Sequence, residues 1–161
     1  MTGSETTPVQ GVRGLDHTAD LGLEVRAPDL PELFRRAARG AMWLVLEREP
    51  EVTSTLSRAS KEEARPLHLV EEDLNGLLRS WLRALLFWEE TEGFVTVDAK
   101  IMLLPTPLCR SPDGQAFGLQ AQIQGCFDSG PRVREIKGVT LHGLVVEMEG
   151  EEWLGRVIFD V

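Results

Sequence analysis

The residues that could do chemistry stand in three small groups. His17-Thr18-Ala19-Asp20 lies early, Lys137-Gly138-Val139-Thr140-Leu141-His142 lies late, and Phe159-Asp160-Val161 closes the sequence. The run from Arg156 to Val161 reads as a β-strand whose last residue is apolar and β-branched, where most chains end in a frayed polar tail. A terminus held in a sheet would fix the Asp160 side chain close to the α-carboxylate of Val161. Two fixed anions repel unless a cation or hydrogen-bond donors compensate them. A third carboxylate, such as Asp20, would complete an oxygen-rich site. Such a site prefers a hard ion such as Ca²⁺, Mg²⁺ or Mn²⁺ to zinc. A plainer reading stands beside it, in which Asp20 caps a turn and Asp160 is solvated. In the late group, strand alternation puts Thr140 and His142 on one face and Val139 and Leu141 on the other. Lys137 could meet a phosphate or an acidic group, or simply be solvated. His142 could equally be a hydrogen-bonded structural histidine.

Other chemistries find little footing. There is no GxGxxG, no Walker A loop, no HExxH and no GxSxG elbow, so His17, His68 and His142 have no serine in a nucleophile context. Cys109 and Cys126 are the only cysteines. Their spacing makes neither a CxxC pair nor a zinc ribbon, and two thiols build no disulfide framework. The formal net charge of −9 argues against a chain whose main task is to grip phosphate backbones. It leaves room for local basic patches, at Arg35, Arg36 and Arg39 and at Arg132, Arg134 and Lys137. No run of eighteen apolar residues exists to span a membrane, and residues 1–10 lack the apolar stretch of a secretory signal. A cytoplasmic location is therefore expected, with 1–10 as a disordered tail and 11–161 as one domain.

The elements that must position these groups follow from periodicity. Residues 11–17 could form a first strand. Leu21 to Arg26 alternates apolar and polar residues, the pattern of a half-buried strand, so the HTAD segment falls at the bend between the two. Asp29, Pro31 and Glu32 mark a helix start. Leu30, Leu33, Phe34, Ala37, Ala38, Ala41, Met42 and Val45 form its apolar stripe, and Pro50 ends it. Residues 52–56 and 67–70 read as strands, with Lys61 to Arg65 a solvated connection. A second helix starts near Glu72-Asp73 and runs to about Glu90. Its stripe of Leu74, Leu77, Leu78, Trp81, Leu82, Leu85 and Trp88 is widened by Leu86 and Phe87, so it is expected to be the more buried of the two. Asp73 suits the helix dipole there better than a ligand role. Strands are expected at 95–104, 117–126, 139–148 and 153–161. The sum is an α+β fold: a single domain with a largely antiparallel β-sheet and two amphipathic helices packed on it.

Five stretches together resemble the archease family over about residues 12–161. They are His17-Thr18-Ala19-Asp20-Leu21-Gly22, Glu72-Asp73-Leu74 with Leu77-Leu78-Arg79-Ser80-Trp81-Leu82, Thr91-Glu92-Gly93, Glu135 to His142, and Phe159-Asp160-Val161. Each is weak alone; the set in this order is specific. The resemblance implies a small α+β protein that is not itself an enzyme. It would assist the GTP-dependent RtcB-type RNA ligase in tRNA splicing and RNA repair, promoting its guanylylation and multiple turnover. It further implies a divalent-cation site, most often calcium, held by Asp20, Asp160 and the terminal carboxylate of Val161. His17, Lys137, Thr140 and His142 would face the partner, and RNA would be contacted indirectly if at all. Two alternatives stand: a chaperone-like modulator of a tRNA methyltransferase, and a stand-alone hydrolase using His17 and His142. The sequence departs from the family where Leu141 replaces the usual Tyr and Gly138 the usual Ala. That leaves a hydroxyl role at 141 without a carrier but does not touch the metal ligands.

Overall fold

A computed structural model of the chain describes residues 4–16, 20–50, 63–105 and 116–161. The expected strand at 52–56, Cys109, and His17 to Ala19 lie outside the described residues. The elements run β1 (Ser4–Thr6), β2 (Val12–Asp16), β3 (Leu21–Ala27), α1 (Leu30–Leu46), β4 (Glu63–Glu71), α2 (Leu74–Glu92), β5 (Phe94–Pro105), β6 (Phe117–Phe127), β7 (Gly138–Val139), β8 (Val145–Glu149) and β9 (Glu152–Asp160). All pairings are antiparallel. One sheet runs β1-β2-β3-β9-β7, with β8 also paired to β9, and a smaller one runs β4-β6-β5. The α+β single-domain expectation holds, with two sheets in place of one.

Both helices start on an aspartate. Asp29 accepts the Glu32 amide at 2.8 Å and Asp73 accepts the Gly76 amide at 2.6 Å. Each satisfies a donor that the first helical turn leaves open. Asp73 is thus a cap, as its position suggested. Helix α1 stops at Glu47, in a left-handed conformation (φ 49°), three residues before the proline expected to end it.

The order of burial is the reverse of the expectation. Ten residues of the 17-residue α1 are buried, against six of the 19-residue α2. Helix α1 touches β2, β3 and β9 of the large sheet and β5 of the small one, so more than one of its faces is covered. Gly40 allows this approach: a Cβ there would meet Val12 Cγ1 at 2.7 Å. Trp81 locks the helices together, burying its ring while its Nε1 donates to the Phe34 carbonyl at 2.9 Å. Phe87, expected to widen the apolar stripe of α2, is instead 60% exposed.

Three further readings are corrected. Residues 4–10 are not a loose tail: β1 pairs with β2, Thr7 Oγ1 donates to the Val12 carbonyl at 2.8 Å, and Val9 is buried. The strand itself, Ser4-Glu5-Thr6, carries no apolar residue to mark it. Glu63 to Arg65 are the start of β4 rather than a connection. The single strand expected at 139–148 is broken into β7 and β8 by a turn that includes Gly143 (φ 69°).

Strand β3 is buried along nearly its whole length, not half-buried. Leu21, Leu23, Val25 and Ala27 join the core. On the other face Glu24 is covered by arginines: Arg13 and Arg156 donate to it at 3.0 and 3.1 Å. Burial pushes the Glu24 carboxyl up, but the bond from Arg156 and the charge and bond of Arg13 outweigh it and hold it below the ordinary glutamate value. A depressed carboxylate stabilises the fold fully above its unfolded-state value and loses that contribution as pH falls through its folded-state value. The stability gap between wild type and Glu24→Gln is therefore expected to be full at neutral pH and to narrow below about pH 4. Chemical denaturation across pH checks this, and a gap constant down to acid pH would rule out the linkage.

Candidate functional site

The three chemistry-bearing groups converge on the C-terminal end of β9. The β3–β9 register pairs Leu21 with Phe159. One step further along that register sets Asp20 across from Asp160. Leu21 and Phe159 are buried in the core, so alternation turns Asp20 and Asp160 to the face away from the helices. Both are exposed. Neither side chain has a hydrogen bond or ion pair among the described residues. Val161, next in line, is 44% exposed.

The other flank of β9 is built by the late group. Gly138 pairs with Asp160 and Val139 with Phe159. The Lys137 amide donates to the Asp160 carbonyl at 2.7 Å, and the Thr140 amide donates to the Ile158 carbonyl at 3.0 Å. Thr140 Oγ1 donates to the same carbonyl at 3.1 Å. Thr140 therefore holds the ladder where β7 ends, rather than presenting a free hydroxyl. The Lys137 side chain is exposed, and so are Leu141 and His142 in the turn that follows.

A residue given no role by the sequence fixes this flank. Arg79 of α2 donates through Nε to the Val139 carbonyl at 2.9 Å. It ties the helix to the short strand that follows Lys137 and borders Asp160. Its only sequence signal was an arginine one position from the buried Leu78.

The structure thus brings Asp20, Asp160, Val161, Lys137 and Thr140 to one end of the sheet. Asp73 is spent as a helix cap, and His17 lies outside the described residues. Among the described residues no group of three or more His, Cys, Asp or Glu side chains is set to hold a metal. The side-chain donors on this face are the carboxylates of Asp20 and Asp160, with Val161 next in the chain. Such hard oxygen donors, unpaired with any basic side chain among the described residues, are of the type that could hold a divalent ion of the calcium or magnesium kind.

Fold and site define a small antiparallel α+β domain that gathers exposed carboxylates at the end of its central strand pair. The archease protein family (MTH1598/TM1083) matches residues 13–161, and the chain belongs to that family. The archease of Thermococcus kodakarensis is 26% identical over 147 residues, covering 91% of this chain and 95% of that protein. The archease of Methanosarcina barkeri is 27% identical over 150 residues, covering 91% and 93%. Among solved structures, the solution structure of Methanobacterium thermoautotrophicum protein 1598 superposes with a TM-score of 0.68 at 27% identity, covering 94% of this chain and 99% of that one. The crystal structure of an archease from Thermotoga maritima, described as a possible chaperone, shares the fold with a TM-score of 0.51 at 18% identity, over 98% of each chain.

Proposed function

We propose that this protein is a metal-binding cofactor of an RtcB-type RNA ligase, promoting guanylylation and repeated turnover in tRNA splicing and RNA repair. The observation that carries this reading, beside the family, is the register that sets Asp20 across from Asp160. Both are exposed and neither is neutralised by a basic side chain among the described residues. Asp20, Asp160 and the α-carboxylate of Val161 hold the ion, most readily calcium, with magnesium or manganese as substitutes. The bound ion would supply positive charge at a surface that otherwise repels nucleotide phosphates. Arg79 holds the neighbouring flank of β9 in place through the Val139 carbonyl.

The hydrolase alternative has less to stand on. His142 is exposed in a turn, and no carboxylate orients its ring among the described residues. A third group that orients the base is the usual mark of an activated nucleophile pair. A modulator of a tRNA methyltransferase would share the fold but not require the ion.

Reconstitution separates these readings. Metal-stripped protein is mixed with an RtcB-type ligase, GTP and RNA ends, and guanylylated ligase and joined product are followed as calcium, magnesium or manganese is restored. Both are expected to rise only with protein and ion together, and the protein alone should turn over neither RNA nor nucleotide. Ligase output that ignores the protein, or the ion, defeats the reading.

A further inference from the structure

The positive charges of this acidic chain are largely consumed internally. Arg13 and Arg156 are held by Glu24, Arg35 by Asp98, Arg36 by Glu32 and Arg132 by Glu89. Arg83 and Lys137 differ: neither side chain has a hydrogen bond or ion pair among the described residues. Both line one cleft of ≈ 450 Å³ between the outer side of α2 and residues 136–139. Phe87 lies on the same wall, one turn beyond Arg83, and is 60% exposed. Covering that ring with a partner's apolar side chain would remove its area from water, with two unpaired cations on the same lining.

We propose that this cleft docks an acidic peptide segment of the ligase, with a carboxylate between Arg83 and Lys137 and an adjacent apolar side chain on Phe87. The inference rests on the functional reading above and names the surface that reading needs. Lys137 belongs to both places, since its amide holds the Asp160 carbonyl at 2.7 Å. A segment laid in the cleft is thereby led to the carboxylate end of β9.

Charge decides between a peptide and RNA. Single strands are held through many phosphates, each contributing a salt slope of about −0.7, so two cations would supply only weak binding. Glu90 on the same lining repels a continuous run of phosphates but tolerates an isolated acid with a neutral neighbour. An aromatic anchor flanked by charge is the usual composition of a protein-binding hot spot.

The test measures affinity of the full chain for the ligase by fluorescence anisotropy, with calcium titration and thermal melts of the same samples. Arg83→Glu is expected to weaken ligase binding about tenfold or more, and Phe87→Ala about fivefold. Calcium affinity and melting should match wild type. Arg83→Gln should weaken binding in the same direction and less, and it replaces the charge reversal if that variant melts early. Wild-type affinity in the Arg83 and Phe87 variants overturns the proposal. So does a single-stranded RNA oligonucleotide held by wild type and lost by Arg83→Glu while ligase affinity is unchanged. Failure of wild type itself to bind the ligase defeats the functional reading first, and the partner named here falls with it.

Discussion

Asp128→Ala is expected to lower the unfolding free energy by about 3–5 kcal/mol, since it removes one partner of a buried charge pair and strands the other. Asp128 is 5% exposed. Its carboxylate accepts both terminal nitrogens of Arg48 at 2.8 Å, in the fork-to-fork geometry that makes such pairs strong. It also accepts the Gly130 amide at 2.8 Å. Arg132 donates to the Asp128 carbonyl at 2.7 Å and to Glu89 at 2.6 Å. The residue therefore binds the exit of α1, the loop after β6 and the end of α2 into one unit. Asp128→Asn keeps the shape and can keep the Gly130 bond, so its loss should be smaller. Urea denaturation of the three proteins measures both differences. A loss below about 1 kcal/mol for alanine would mean that the two arginines simply turn out to solvent.

Asp20→Ala is expected to abolish ion-dependent ligase activation while leaving the fold intact. The side chain is exposed and pairs with nothing else among the described residues, so its removal should change stability by no more than about 0.5 kcal/mol. Removing one of so few charged ligands should weaken calcium binding at least about tenfold, because affinity at oxygen sites follows the charge of the ligand set. Asp160→Ala should behave alike, since the register places the two carboxylates as equals. Calcium calorimetry and ligase turnover on the same preparations make the comparison. An Asp20→Ala protein that activates the ligase normally would assign that residue to the turn alone, and one that fails to fold would make it structural.

The legible parts of this fold were those with local causes. Asp29 and Asp73 announced the helices because a cap and a stripe are read within a few residues. The β8–β9 hairpin was foreshadowed by the short gap between the strands expected at 139–148 and 153–161. The illegible parts depended on distant chain. Helix α1 is the more buried because two sheets converge on it, and no residue of α1 states that. Glu24 looked like a solvent-facing glutamate because Arg156, which covers it, lies at the far end of the sequence. The break between β7 and β8 was hidden because Leu141 and Leu144 continue an apolar run through the turn. At the site, Asp20 and Asp160 could be grouped only as an expectation, and their alignment waited on the β3–β9 register. Arg79 could not be given its role at all, because its partner is a backbone carbonyl.

That register has a consequence for the order of events during synthesis. Strand β3 leaves the ribosome well before β9, yet the two are neighbours in the folded sheet. Closing so long a loop is slow relative to forming hairpins such as β2–β3. A nascent chain can thus display Asp20 before Asp160 arrives across from it. Under the proposed function, ion capture would report that β9 has docked beside β3. On the same proposal, local release of β9 would separate the two aspartates, so ion occupancy and the docking of that strand would be two readings of one equilibrium.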